Sequence, residues 1–355
     1  MLKSRRQRLV RFFDESDLDL LLIEQPINLR YLCGFSGSEG ALLLTPQGGW
    51  FVCDSRYTIQ AGKEISGLSV LEQAQRQEGI ADLIRQSGAR RVGFEATYTT
   101  VSAHQGLMAR LPEVIFVPLG QELDAIRSCK DAQELQLLSD VAALASSALE
   151  AVLPLVRPGM VEIDLALELE FAMRRSGSEG TGFDIIVASG VRGAMPHGRA
   201  SDKRIEAGDL VTIDFGAVQQ GYHSDETVTV AVGAVSQRQQ RIYQVVLEAH
   251  DRAIAAVRPG ITCRELDAVA RDHIREQGFG EYFGHGLGHG VGLAVHEKPV
   301  VSPRSDAVVE EGMVFTIEPG IYLPGFGGVR IEDTVAVTAD GCRLLTKASK
   351  QLRIL

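Results

Sequence analysis

Four carboxylates occupy two matching places in this sequence. Gly208-Asp209-Leu210-Val211-Thr212-Ile213-Asp214-Phe215-Gly216 reads against Gly312-Met313-Val314-Phe315-Thr316-Ile317-Glu318-Pro319-Gly320, 104 positions later. Asp225-Glu226-Thr227-Val228-Thr229-Val230 reads against Glu332-Asp333-Thr334-Val335-Ala336-Val337, 107 positions later. Upstream, Val156-Arg157-Pro158-Gly159 recurs as Val257-Arg258-Pro259-Gly260 at an offset of 101. Two related units therefore each bring a pair of acids. A histidine- and glycine-rich run, Gly284-His285-Gly286-Leu287-Gly288-His289-Gly290, precedes the second pair. Four carboxylates and an imidazole suit a pair of divalent cations.

An acid that ends a buried apolar strand is costly unless it is ionised against a cation. Taken singly, Asp214 or Glu318 reads as an ordinary surface acid. Their duplication, with second acids 11 and 14 residues on, argues against that reading. Hard oxygen donors with one imidazole favour Mn²⁺, with Co²⁺ or Zn²⁺ as alternatives, over an all-sulfur zinc site. Two ions about 3.5–4 Å apart can bind and deprotonate a bridging water. Glu318 is assigned the proton of that water, because a ligating carboxylate lies within hydrogen-bond reach of it.

The remaining histidines sort by context. His104, His250 and His273 lie in helical patterns and read as ordinary core or surface positions. His223 neighbours Asp225, as a support for that acid or as a turn residue. His197 follows the glycine-bearing run Ser189–Gly193. His285, His289 and His296 cluster, and one of them is expected to be a ligand. The others would stabilise charge on a substrate carbonyl or tetrahedral intermediate. The glycines between them are expected to let the backbone approach a ligand closely.

These residues need strands that end at one place. Asp214 to Asp225 and Glu318 to Glu332 fit strand-turn-strand hairpins, with Gly216, Gly221, Pro324, Gly325, Gly327 and Gly328 in the turns. Adjacent strands lie about 4.8 Å apart, so both acids of a hairpin can reach one site. In each unit two helical patterns come first, Leu135–Val156 and Ile163–Arg175, then Ile242–Val257 and Glu265–Gln277. Asp131-Ala132-Gln133-Glu134 reads as a capping box opening the first of these.

Residues 1–125 alternate helix-like and strand-like segments, as a small α/β domain with a mostly buried sheet would. Helices are expected at Arg5–Phe13, Gly79–Ser87 and Ser102–Leu111. Extended runs are expected at Leu18–Ile23, Arg91–Phe94 and Val114–Val117, with a hairpin of Ala41–Thr45 and Trp50–Cys53. The glycine-rich Gly34–Gly40 lacks a P-loop lysine and reads as a loop needing positive φ. Residues 126–355 form the second domain.

A chain of 355 residues suits two domains. The net charge of -10 argues against nucleic acid or an anionic membrane as the main partner. Cys33, Cys53, Cys129, Cys263 and Cys342 are odd in number and unpaired in spacing, a reduced pattern that predicts a cytoplasmic location. The N-terminus has no signal-peptide h-region, and no run of 18 apolar residues occurs.

The whole chain resembles the pita-bread metallopeptidases: methionine aminopeptidase, aminopeptidase P, prolidase and the metal-free creatinase. The resemblance rests on Asp214, Asp225, His289, Glu318 and Glu332 in order, with Pro196-His197-Gly198, His285–Gly292, Glu318-Pro319-Gly320 and Arg330-Ile331-Glu332. It implies an α/β N-terminal domain and an α+β catalytic domain with a pseudo-twofold repeat and a curved antiparallel sheet. It further implies that Asp214 is a bidentate ligand of one ion, that His289 and Glu318 bind the other, and that Asp225 and Glu332 bridge. His197 and His296 would flank the scissile bond, His285 would line the side where proline sits, and Tyr322 and Arg330 would support the site. Val228 stands where many members carry Arg, so the charge around Asp225 is expected to differ.

The separate N-terminal domain, with Asn28-Leu29-Arg30-Tyr31-Leu32-Cys33-Gly34-Phe35 and Asp54-Ser55-Arg56-Tyr57, resembles short bacterial Xaa-Pro peptidases rather than methionine aminopeptidases. The implied activity is hydrolysis of an Xaa-Pro bond in small peptides with proline second, by a homodimer. Xaa-Pro aminopeptidase ranks slightly ahead of Xaa-Pro dipeptidase (prolidase). The rivals are a catalytically silent binding protein of this fold and a metal-free creatinase-like hydrolase. The intact ligand set speaks against both.

Overall fold

The computed structural model describes residues 2–355 as two compact units, Met1–Ile126 and Arg127–Leu355. In the first unit, strands β1 (Leu20–Ile23), β2 (Ala41–Thr45), β3 (Gly48–Cys53), β4 (Ser69–Glu72), β5 (Arg91–Glu95) and β6 (Ile115–Leu119) form one sheet in the order β4-β3-β2-β1-β5-β6. The central strands are apolar and buried, while β4 and β6, at the edges, are largely exposed. The β2–β3 hairpin forms as expected, with Thr45 opposite Gly48. The N-terminal helix breaks into Leu2–Arg8 and Val10–Glu15. Gly34 has φ 81° and ends the helix Pro26–Cys33, which gives the glycine-rich loop its need for positive φ. The periodicity reading missed that short helix.

The second unit holds the repeat. Its strands are β7 (Gly180–Thr181), β8 (Ile186–Ser189), β9 (Leu210–Phe215), β10 (Ala217–Gln219), β11 (Tyr222–His223), β12 (Glu226–Ala231), β13 (Gly288–Gly290), β14 (Glu297–Val301), β15 (Val314–Ile317), β16 (Gly320–Leu323), β17 (Gly327–Arg330), β18 (Asp333–Val337) and β19 (Cys342–Leu344). All pairings between these strands are antiparallel. The antiparallel strands that carry the repeat fall into two main parts, β12-β9-β8 and β14-β13-β15-β18-β19. The two parts meet where the Glu332 N–H donates to the Thr227 carbonyl at 3.1 Å. The Thr229 hydroxyl adds a bond to the Arg330 carbonyl at 2.8 Å.

Each half packs two helices behind its strands: Ala132–Val152 with Glu162–Arg175, then Gln237–Ala256 with Cys263–Glu276. Asp131 and Glu134 close the expected capping box. Each half also has its own apolar core, around Val211, Ile213 and Phe215 in the first and Phe315, Ile317 and Val335 in the second. The stretch Ala132–Leu155 is long and apolar enough to cross a membrane by length and composition, but half of it is buried inside the unit as a core helix. All five cysteines are free, and Cys33, Cys53 and Cys263 are buried.

Candidate metal centre

Register explains why the acids meet. In β9–β12, Thr227 lies opposite Asp214 and Glu226 opposite Phe215. Side chains alternate faces along a strand, so Asp214, Asp225 and Thr227 share one face. In β15–β18, Thr316 lies opposite Thr334 and Ile317 opposite Asp333. One step further, Glu318 faces Glu332 on the equivalent side. The expected turns are more elaborate than single hairpins. A second small hairpin is inserted in each, β10–β11 and β16–β17, before the partner strand begins.

The candidate ligands converge. One ligand atom each from Asp225, His289 and Glu332 lies within 4.8 Å of the others. His289 Nε2 is 3.4 Å from Glu318 Oε1 and 3.6 Å from Asp225 Oδ2. Asp214 adjoins them through Arg330, whose guanidinium donates to Asp214 Oδ2 at 2.6 Å. Asp214 Oδ1 is buried with no hydrogen-bond partner. A buried carboxylate oxygen without a donor is a position for a cation.

Electrostatics point the same way. Burial, and after it repulsion from Glu332, Asp214 and Glu318, raises the Asp225 carboxyl well above its ordinary value. Burial, with repulsion from Glu318 and Asp214, does the same to Glu332. Burial raises Glu318 too, against the opposing pull of His285 and Arg330. Such a set holds protons unless cations replace them. Burial lowers His289 and so favours its neutral form. Its Nδ1 lies 3.2 Å from the Gly290 carbonyl and must be the donor there. The Nε2 lone pair is then free to ligate, facing the acids. The donor set thus fits divalent ions.

The surrounding residues hold this arrangement. Arg330 also donates to the Tyr322 hydroxyl at 3.0 Å, to the Pro196 carbonyl at 3.0 Å and to the Thr227 hydroxyl at 3.2 Å. The Pro196 contact ties down the exposed loop carrying His197. His285 Nδ1 faces the Gly286 carbonyl at 2.8 Å, so its Nε2 accepts from Tyr322 at 2.9 Å. The His296 ring packs tilted by 50° against that of His289, with centroids 4.2 Å apart, and His197 lies within its electrostatic reach. Burial and the neighbouring His289 lower His296, so it too favours the neutral form.

Tyr322→Phe removes the hydroxyl that joins Arg330 to His285. We expect kcat/KM on a good substrate to fall roughly tenfold, the scale of one buried hydrogen bond, with little change in melting temperature. A change below twofold in steady-state assays would exclude a role for that hydroxyl.

Sequence reading missed two threonines. The Thr227 hydroxyl donates to Glu332 Oε2 at 2.6 Å, and the Thr316 hydroxyl donates to Glu318 Oε1 at 3.2 Å. Their repeat mates, Thr334 for Thr227 and Thr212 for Thr316, were the available signal. A Cβ on Gly288 would lie 1.9 Å from the Thr316 carbonyl oxygen, and one on Gly290 would lie 2.2 Å from that of Lys298. These two glycines therefore admit neighbouring strands. Val228 is buried in the first half's apolar core, so no charge is expected there. His223 sits on β11, with its N–H bonded to the Gly292 carbonyl at 2.8 Å.

Residues 136–339 match the model of metallopeptidase family M24, and residues 5–129 match the creatinase/prolidase N-terminal domain. A solved Xaa-Pro dipeptidase from Bacillus anthracis superimposes with TM-score 0.98 at 42% identity, covering 100% of both chains. The Xaa-Pro dipeptidase of Pyrococcus furiosus is 39% identical over 99% of this chain and 100% of its own length. An X-Pro aminopeptidase structure from Thermotoga maritima gives TM-score 0.91 at 36% identity, covering 96% of this chain and 98% of its own. With the fold matched end to end and a carboxylate cluster that calls for cations, the chain belongs to metallopeptidase family M24 and is a hydrolase of its two-domain, prolidase-like type.

Proposed function

We propose that this protein is an Xaa-Pro dipeptidase, cleaving the bond before proline in dipeptides. The convergence of Asp214, Asp225, His289, Glu318 and Glu332 carries the catalytic part of this reading. The full-length relatives named Xaa-Pro dipeptidase favour the dipeptide substrate over the aminopeptidase ranked first from sequence. The Thermotoga maritima X-Pro aminopeptidase keeps that second reading in view.

Asp214, Asp225, His289, Glu318 and Glu332 would hold two divalent ions, Mn²⁺ being the proposed metal. Such ions, when bound, would supply Lewis acidity and a water-derived nucleophile at neutral pH. Glu318 takes the proton released as water attacks the carbonyl before proline, and returns it to the proline nitrogen as the C–N bond breaks. His296 and His197 would donate hydrogen bonds to the carbonyl oxygen as charge develops on it. His285 and Tyr322 line the proline side, held by Arg330.

Product analysis tests this reading. Gly-Pro-type dipeptides are expected to give kcat/KM at least about tenfold above Xaa-Pro-Xaa tripeptides, the scale set by rejecting one extra residue. Chelator should abolish both activities. Faster release of the first residue from tripeptides would restore the aminopeptidase reading. Turnover that survives chelation would favour a metal-free hydrolase.

A further inference from the structure

Each bridging-ligand candidate is followed at once by a second acid that opens a strand: Glu226 opens β12 after Asp225, and Asp333 opens β18 after Glu332. Alternation turns these second acids to the opposite side of the strands. There they are buried, at 0% and 4% exposure. Two carboxylates set so deep need a cation. It comes from the C-terminal segment. The Lys350 ammonium bonds to Glu226 Oε1 and lies 3.3 Å from Asp333 Oδ1.

The socket around them is complete. The Ser146 hydroxyl donates to Glu226 Oε2 at 2.6 Å, and the Ala348 N–H donates to Oε1 at 3.0 Å. The Thr346 hydroxyl donates to Asp333 Oδ1. His250 Nε2 stands 3.1 Å from Asp333 Oδ2, at ion-pair range but poorly aligned for a hydrogen bond. The Tyr243 hydroxyl fixes the Lys350 carbonyl at 2.9 Å. One ammonium therefore joins equivalent residues of the two halves, each adjacent to a bridging-ligand candidate. On the opposite side of the same strands, the Thr227 hydroxyl reaches Glu332, and the Thr334 hydroxyl donates to the Asp225 carbonyl at 2.8 Å.

We propose that Lys350 is a positioning residue of the metal centre: by bridging Glu226 and Asp333 from behind, it sets the spacing at which Asp225 and Glu332 face a pair of divalent ions. The proposal rests on the ligand assignment made above. Docking the C-terminal segment does not require this lysine. Arg353 pairs with Glu150 at 2.6 and 2.7 Å, and the Leu355 N–H bonds to the Ala231 carbonyl at 2.9 Å. Lys350→Met would leave two buried carboxylates facing each other without their cation, and the strand ends carrying Asp225 and Glu332 would separate.

The test titrates metal-free, full-length protein with Mn²⁺ by calorimetry and reads ion pairing by electron paramagnetic resonance. Wild type is expected to take up two ions per chain as an exchange-coupled pair. In Lys350→Met the first ion should bind nearly as in wild type, the second about tenfold or more weakly, and the coupled signal should give way to that of isolated Mn²⁺. Lys350→Arg, which keeps the charge, should fall between the two. Arg353→Ala, which releases the segment elsewhere, should lower the melting temperature and leave both affinities unchanged. Wild-type second-ion affinity and coupling in Lys350→Met would overturn the proposal, as would an equal loss in Arg353→Ala. If Lys350→Met does not fold, Lys350→Arg decides: a weakened second ion with the first intact supports the proposal, and wild-type binding of both refutes it. A wild type that forms no coupled pair would instead defeat the ligand assignment, and the proposal with it.

Discussion

Glu318→Gln is expected to give a folded protein whose kcat on an Xaa-Pro dipeptide is lower by about 10²–10⁴-fold, the range that general acid–base catalysis contributes. Glutamine matches the side chain's shape and can still accept the Thr316 hydroxyl bond seen at 3.2 Å. The backbone anchor also stays, since the Glu318 N–H donates to the Leu287 carbonyl at 2.8 Å. What is lost is a group that can take and return a proton. Glu318 suits that task by position, since its Oε1 lies 3.4 Å from the ligand candidate His289 Nε2 and so at the site where water would bind. Steady-state kinetics at saturating Mn²⁺ should show the loss mainly in kcat, with KM changed far less. Metal content measured on the same sample separates two causes. A full complement of metal with low kcat identifies proton transfer, and metal lost in proportion to activity identifies ligation alone. Activity within tenfold of wild type would remove Glu318 from the proton pathway.

The acid positions were legible because a repeat writes the same local pattern twice. Apolar runs ending in Asp214 and Glu318 specify strands, and strand alternation then fixes which neighbours share their face. The paired helices of each half were legible for a similar reason, since caps and prolines are local signals. What escaped reading depends on contacts between distant segments. Nothing near Lys350 in sequence indicates that it meets Glu226 and Asp333. His250 reads as an ordinary helix residue, and only the packing of its helix behind β18 brings it to Asp333. The glycines around His289 signalled a close approach correctly but not its partner, which is the backbone of Thr316 and Lys298. The choice between dipeptides and longer peptides is harder still. It depends on how the site is closed beyond proline, and no local motif encodes that.

Removal of metal is expected to reverse how stability responds to pH, and the carboxylate cluster fixes the sign. In the metal-free protein burial is the first cause that raises Asp225, Glu332 and Glu318, with mutual repulsion next for the first two. The unfolded chain releases the same protons near the ordinary values of about 4. Between those and the raised folded values, the folded state holds more protons, so stability falls as pH rises. Their contribution is fully present below about pH 4 and is lost as pH climbs through the folded values. Burial lowers His285, His289 and His296, and these act oppositely: stability falls as pH drops below about 6.5, where the unfolded imidazoles take up protons. Above that point the three imidazoles no longer change the metal-free curve. Divalent ions displace those protons, so metal binds more tightly as pH rises. At a free ion concentration one hundred times Kd, one site contributes about 2.7 kcal/mol. That corresponds to roughly 5–10 °C in melting temperature for a unit of this size, and to more for a pair. Calorimetric scans from pH 5 to 8, with Mn²⁺ or with chelator, should therefore diverge, the gap widening toward high pH. Parallel curves would mean that the buried acids already hold their charges without metal, and that the protein compensates them by itself.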